Sequence, residues 1–384
     1  MEFLFYLTGF LLVYPLILYP LTLFLLDKIY GAAEIQKNLD FKPELDFVIT
    51  AYNEEKVIVE KLLNVLKQDY PADKMNIIVA SDGSSDNTNQ LVIDFSKKHP
   101  DYTIKLLNVE GRRGKTHAQN VAVADGTSDI VVFSDANSMW NMDATSQLVS
   151  RFVDEKLGYL SGKLQYVNSA ENSASSSESS YWNLDLKLRA IESKVCSTVG
   201  GNGAIYAVRR IGYVDLPDIL SHDGFFPTKM VLQGLTAKFE PLAIANEKAG
   251  DTSRDEFKRK VRMQRGQPWK KYYDPEKFNV FKYGWFSYFY VGHKYLKYQL
   301  YFFHLMFLFT NYMIYEISPI YRLMFIGQCL FYLLAILGWL TGSRSKVLYA
   351  PYYYTMTIVA QTVSVYNTLT GKSKSIWEKA ESTR

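Results

Sequence analysis

Residues Asp129 to Ser138 read DIVVFSDANS. Ile130 to Phe133 form a short apolar run of the buried-strand type, and Ser134, Asp135 and Asn137 follow at its end. In open α/β sheets, ligands sit beyond the carboxyl ends of the strands. A carboxylate and an amide oxygen two residues apart are hard ligands for Mg2+ or Mn2+, which could in turn hold a diphosphate. The same residues also fit a strand end entering an Asx-type turn. Three further polar loops end short apolar runs: Thr50-Ala51-Tyr52-Asn53-Glu54, Ser81-Asp82-Gly83-Ser84-Ser85-Asp86-Asn87-Thr88 and Gly111-Arg112-Arg113-Gly114-Lys115. In the second loop Asp86 suits a helix cap, which leaves Asp82 to accept hydrogen bonds from a ligand. The glycines and cations of the third suit an anion at a helix N-terminus. Each loop alone also reads as turn chemistry.

The elements that must position these loops are strands near Asp46–Thr50, Asn76–Ala80, Ile104–Val109, Ile130–Ser134 and Tyr159–Val167. Helical stretches lie near Glu54–Gln68, Asn87–Lys98, Thr116–Ala124 and Asp143–Val153. Strand and helix in alternation predict a doubly wound, mostly parallel α/β sheet, with all these loops at one edge. The chain has 384 residues and 48% apolar residues, enough for a full core. A formal charge of +4 leaves no nucleic-acid footprint. Two cysteines, Cys196 and Cys329, make neither a disulfide framework nor a zinc site. Aromatics reach 15%, crowded into the C-terminal third as in membrane-interface belts. Phe3 to Leu26 carries no charge and is long enough to span a bilayer, and no basic n-region or cleavage site marks a signal peptide. Gln299–Ile317 and Ile320–Leu340 are further span candidates. Val347–Leu369 is uncharged, and the basic tail beyond it favours a re-entrant or interfacial segment.

TAYNE, ASDGSSDNT, GRRGKTHAQN and FSDANS, in that order, resemble the successive motifs of membrane-bound family 2 glycosyltransferases with the GT-A fold. That group includes the cellulose, hyaluronan and poly-N-acetylglucosamine synthases and many bacterial envelope enzymes. The resemblance spans about Leu45 to Tyr273. It implies a Rossmann-like GT-A catalytic domain flanked by transmembrane helices. Ala51, Tyr52, Glu54 and Asp82 would hold the uridine of a UDP-sugar, with Lys115 near the nucleotide. Asp135 and Asn137 would take the metal-binding DxD positions, Asn137 replacing the second acid. Gly201 and Asn202, within Gly200-Gly201-Asn202-Gly203-Ala204, resemble the turn beneath the acceptor sugar, although a hairpin or bulge before a strand at Ile205–Val208 fits as well. Asp223 aligns with the catalytic base of an acidic pair whose first member is here His222. A His–Asp pair is also a common structural contact.

Asn168–Ser180 is Ser-rich and reads as a surface loop, either a lid or a plain connector; Tyr181-Trp182 then leads a helical stretch through Glu192. Arg254 to Trp269 reads as a basic amphipathic helix suited to an anionic membrane surface. Processive relatives carry QxxRW here, whereas this chain has Gln264, Arg265 and Trp269, one residue too long. Arg262 and Arg265 would face the diphosphate, and Trp269 an acceptor sugar.

The expected organisation is an N-terminal anchor (1–30), a cytoplasmic catalytic domain (41–282) with a basic helix near 254–270, a C-terminal membrane region (283–370) and a basic tail (371–384). The expected activity is inverting transfer from a UDP-sugar to a lipid-linked or growing glycan at the inner (plasma) membrane, with partner subunits of a polysaccharide machinery as candidate partners. Transfer of a single sugar to a glycolipid or lipid carrier is the near alternative. A catalytically silent membrane subunit that binds nucleotide or a partner is the alternative of another class.

Overall fold

The computed structural model describes residues 1–31, 36–167, 173–248, 253–265, 274–343 and 345–376, with side chains described throughout except at 173–181 and 253. The described residues divide into two compact units. One takes in 26–251, 275–287 and the tail from 374; the other takes in 1–25, 252–274 and 288–373.

In chain order the elements are α1 (Glu2–Val13), α2 (Tyr19–Tyr30), β1 (Leu45–Ala51), α3 (Ile58–Leu66), β2 (Met75–Asp82), α4 (Thr88–Lys98), β3 (Thr103–Val109), α5 (Lys115–Asp125) and β4 (Ile130–Asp135). There follow β5 (Met139–Trp140), α6 (Ala144–Val149), β6 (Leu157–Tyr166), α7 (Ser173–Val195), β7 (Ile205–Arg209), α8 (His222–Leu232) and β8 (Thr236–Glu247). The principal helices of the remainder are α9 (Ser253–Met263), α10 (Leu300–Ile314), α11 (Pro319–Thr341) and α12 (Lys346–Leu369).

The sheet unit holds eight strands in the order β3-β2-β1-β4-β7-β6-β8-β5. The five strands expected from the sequence are all present. The sheet, however, is mixed rather than mostly parallel. β1 runs parallel to β2 and β4, β2 to β3, and β6 to β8. β7 is antiparallel to both β4 and β6, and β5 to β8. Strand direction is a tertiary property, since no local pattern tells a strand which way its neighbour runs. β1 is buried at every position because layers cover both of its faces. β3 is the edge strand, with exposed Thr103 and Lys105 alternating with half-buried Ile104 and Leu106. Leu45, Phe47 and Ile49 of β1 share one core with Ile130 and Val132 of β4 and with Ile58, Leu62 and Val65 of α3.

The direction of winding reverses between β1 and β4, because β2 and β3 follow on one side of β1 and β4 lies on the other. Such a switch point opens a crevice at the carboxyl ends of the two strands. It places Ala51 to Glu54 and Asp135 to Asn137 at the same place. At the opposite end of β1, buried Asp46 closes the sheet. It accepts from Ser128 N (3.1 Å) and Ser128 Oγ (2.8 Å), and Arg210 Nη2 stands 2.5 Å away.

The Ser-rich stretch departs from its expectation: residues from Ser173 onward belong to α7, and 168–172 lie outside the described residues. Serine is a middling helix former, but Leu186, Leu188 and Ile191 of α7 are buried, and packing of that kind extends a helix past its weak end.

In the helical unit, α1 passes through a π-type turn at Tyr14–Leu18, where Pro15 supplies no N–H, and continues as α2. Glu2–Tyr30 (29 residues) and α11 (23 residues) are long and apolar enough to cross a bilayer. Ile320, Leu323, Leu330, Leu333 and Leu340 of α11 are exposed. α12 is one continuous 24-residue helix through Pro351. The basic helix α9 spends part of its charge internally. Buried Glu256 lies 2.7 Å from Arg259 and 3.3 Å from Lys260, and Tyr353 Oη of α12 donates to it at 3.3 Å.

Candidate active site

The crevice at the β1–β4 switch point is built from four loops tied together by side chains. Asn53 turns the chain after β1 in a left-handed conformation (φ 52°), which asparagine tolerates better than most residues. Its Oδ1 accepts from Ser85 N (2.7 Å), joining the loop after β1 to the loop after β2. Tyr52 lies under the guanidinium of Arg112, 3.9 Å from its ring centroid. Glu54 is buried, with its N–H donating to Thr88 Oγ1 at 2.7 Å. Asp86 accepts from Thr88 N at 3.0 Å just ahead of α4, whose N-cap is Asn87 rather than the Asp86 the sequence suggests.

Asp82 is 3% exposed, and its two carboxylate oxygens accept from Arg113 N (3.0 Å) and Gly114 N (2.8 Å). The protein's own carboxylate therefore fills the anion position at the start of α5, where the glycine-rich loop alone would suit a phosphate. Gly114 (φ 110°) could not carry a side chain, since a Cβ there would stand 2.8 Å from the carbonyl oxygen of Ser375 in the C-terminal tail. The loop's cations go three ways. Arg112 covers Tyr52, Arg113 Nη2 pairs with Asp218 at 2.9 Å, and Lys115 Nζ bridges Asp135 and the carbonyl oxygen of Gly203 (3.3 Å).

Asp135 and Asn137 are half-buried and alternate with buried Ala136 and Ser138. They fit a divalent ion brought in with a diphosphate better than a resident one. They offer one carboxylate, shared with Lys115, and one amide, and no cluster of three acidic, His or Cys ligands occurs among the described residues. Beneath this loop lies a residue the sequence analysis did not single out. Lys61 of α3 is fully buried, donates to Ser138 O at 2.6 Å and faces the ring of Trp140 at 4.9 Å. Burial pushes its ammonium down to about 7, against the pull of Asp135 and Glu247. A lone lysine among the apolar positions of α3 was the available signal.

The acceptor-side residues behave differently from one another. Asn202 is 3% exposed: Nδ2 donates to Gly162 O (2.6 Å), and Oδ1 accepts from Ala204 N and Ile205 N (both 3.1 Å). It shapes the turn. Gly201 is required there because a Cβ would collide with the hydroxyl of Tyr159. His222 is likewise interior. Its Nδ1 meets Tyr206 Oη at 2.9 Å and its Nε2 meets Tyr213 Oη at 3.3 Å, inside a box completed by Phe133 and Phe226. Burial, and then the charge of Lys115, holds its imidazole well below the usual histidine range, hence neutral. The structural reading of His222 is the one its geometry favours.

Asp223 differs from its neighbour. It sits half-buried in the first turn of α8, and its carboxylate makes no hydrogen bond among the described residues. Its carbonyl oxygen accepts from Gly201 N at 3.1 Å, which fixes it to the Gly-rich turn. Arg262 and Arg265 belong to the helical unit, and Trp269 lies outside the described residues.

Residues 46–212 match the family Glycosyl transferase family 2. This segment resembles a family 2 glycosyltransferase domain. The domain resembles the poly-beta-1,6-N-acetyl-D-glucosamine synthase of Staphylococcus aureus (strain COL), with 28% identity over 272 residues, 67% of this chain and 65% of the synthase. The synthase of that name from Staphylococcus epidermidis is 27% identical over 228 residues, 58% of this chain and 54% of the other. The chain thus spans about two thirds or less of the length of these relatives. Among solved structures, a mannosyltransferase of Pyrobaculum calidifontis in complex with GDP-Man and Mn2+ superposes with a TM-score of 0.71 at 21% identity. That match covers 97% of this chain and 99% of the mannosyltransferase, and it establishes the GT-A type of fold.

Proposed function

We propose that this glycosyltransferase domain performs inverting hexosyl transfer from a UDP-sugar to a glycan or lipid-linked acceptor at the plasma membrane. The observation that carries the reading is the contrast at the start of α8. His222 is sealed among tyrosines, while Asp223 beside it keeps its carboxylate without a hydrogen bond. Asp223 takes the proton of an acceptor hydroxyl as that oxygen attacks C1 of the sugar. The bond from C1 to the diphosphate breaks and its electron pair leaves with UDP, so one displacement inverts the anomeric carbon. Lys115 stands at Asp135, where the charge of the departing diphosphate develops. When bound through Asp135 and Asn137, Mg2+ or Mn2+ would offset part of that charge. Tyr52 and Arg112 offer a stacking face for the base, and Ala51, Glu54 and Asp82 hold the loops that frame it. Arg262, Arg265 and Trp269 remain proposed contacts of the diphosphate and acceptor.

The two long apolar helices support membrane attachment, and the likeness to polysaccharide synthases supports an envelope or extracellular glycan as product; the catalytic domain would face the cytoplasm. Transfer of a single sugar is the second reading, favoured by the spacing of Gln264, Arg265 and Trp269, which departs from QxxRW. Nucleotide release by the detergent-solubilised chain, offered a panel of UDP-sugars and GDP-mannose with Mn2+ or Mg2+, tests both. Asp223→Asn is expected to lower release by about 10²–10⁴-fold while UDP binding persists. Wild-type turnover in that variant would remove Asp223 as the base, and product size separates polymer from single transfer.

A further inference from the structure

We propose that Lys61 of α3, with Asn64 one turn further on, is a positioning pair for the loop that carries Asp135 and Asn137. The inference rests on the reading of those two residues as the seat of a diphosphate-bound Mg2+ or Mn2+. Ile58, Lys61, Leu62 and Val65 are the buried residues of α3, so the lysine occupies a place in the helix's apolar stripe. It is 0% exposed, and an ammonium taken out of water is costly unless it is bonded. Among the described residues its one hydrogen-bond acceptor is the carbonyl oxygen of Ser138, at 2.6 Å. Its Nζ also lies 4.9 Å from the ring of Trp140 and 5.7 Å from that of Phe47.

Ser138 closes the turn that holds both candidate ligands. Its N–H donates to Asp135 O at 3.3 Å, and Asn137 is its neighbour in the chain. Further along, Asn64 grips the backbone of Trp140: Nδ2 donates to Trp140 O and Oδ1 accepts from Trp140 N, each at 2.8 Å. The indole N–H of Trp140 donates in turn to Ala204 O of the Gly-rich turn, at 3.1 Å. Side chains of α3 thus hold the loop at Ser138 and at Trp140. A carboxylate and an amide two residues apart meet one ion only while the loop between them keeps one shape. Groups that orient metal ligands are worth about 10–100-fold in affinity.

A role in stability alone has a different signature. Exchanging a buried charged group for an apolar side chain of similar size is often neutral or stabilising. Lys61→Met is therefore expected to unfold at or above the wild-type midpoint at pH 7 and yet to bind its ligand less well. The test is a calorimetric titration of the detergent-solubilised chain with UDP in Mn2+, beside thermal unfolding. Lys61→Met is expected to weaken UDP binding in Mn2+ by about 10–100-fold. Asn64→Leu, at a half-buried position, is expected to weaken it several-fold, and it decides the matter alone where Lys61→Met does not fold. Wild-type affinity in these variants, while Asp135→Ala binds weakly, would overturn the proposal. So would a loss of affinity that only follows a fall in the unfolding midpoint. Wild-type affinity in Asp135→Ala, or UDP binding by the wild type that does not respond to Mn2+, would instead remove the reading on which it rests.

Discussion

At the scale of residues, the site is governed by how few polar groups remain unspent. Asp82, Asn202 and His222 all carry plausible ligand chemistry, and each is also bonded to the protein's own amides or hydroxyls. Asp135 is paired with Lys115, and the Asp223 carboxylate makes no hydrogen bond among the described residues. Asp135→Ala is expected to lower nucleotide release by roughly 10–100-fold and to change its response to a Mn2+ or Mg2+ titration. Unchanged release in excess chelator, by the wild type, would show a site that needs no metal. Lys61 gives a pH prediction of definite sign. In the unfolded chain a lysine keeps its proton to about pH 10.4, whereas in the fold burial brings it down to about 7. Between those limits the unfolded state binds more protons, so stability rises with pH by up to about 1.4 kcal/mol per unit. Thermal unfolding of wild type and Lys61→Met, compared at pH 7 and pH 9, is expected to show the wild type gaining on the variant at the higher pH. An equal response in both would refute the assignment.

At the scale of elements, the switch between β1 and β4 gathers the donor loops, and the amino end of β1 is what secures it. Asp46 sits there with its carboxylate shared among Ser128, Asn76 and Arg210. Asp46→Ala would leave the guanidinium of Arg210 without its carboxylate, a change that costs about 3–5 kcal/mol for a buried pair. A large fall in the unfolding midpoint, with UDP affinity preserved in the folded fraction, is the expected result; an unchanged midpoint would count against a structural role. The reversed strand β7 matters in a different way. It brings Tyr206 between Phe133 and Tyr159 and so builds the wall that seals His222 and leaves Asp223 beside it half-exposed.

At the scale of the whole molecule, the sheet unit and the helical unit are each compact, and the helical unit holds most of the apolar surface left exposed. Large exposed apolar faces mark a membrane or a partner, and helices of this length and composition match a bilayer. The chain is expected to stay in the membrane fraction through an alkaline carbonate wash and to keep its first residues. Release by the wash, or a mature start near Asp27 by mass spectrometry, would contradict the anchor.

The four loop motifs, the strands that carry them and the long apolar helices were legible in the sequence, because each depends on neighbours a few residues away. Alternation of short apolar runs and amphipathic stretches is a local pattern. What Asp82, Asn202 and His222 do was not legible, because their partners lie on other elements: Arg113 and Gly114 beyond β3, Gly162 on β6, Tyr206 on β7. The same holds for the direction of β7 and the buried Lys61 under the Asp135 loop. A side chain's chemistry follows from its type, but whether that chemistry is free for a ligand depends on which groups long-range packing sets against it.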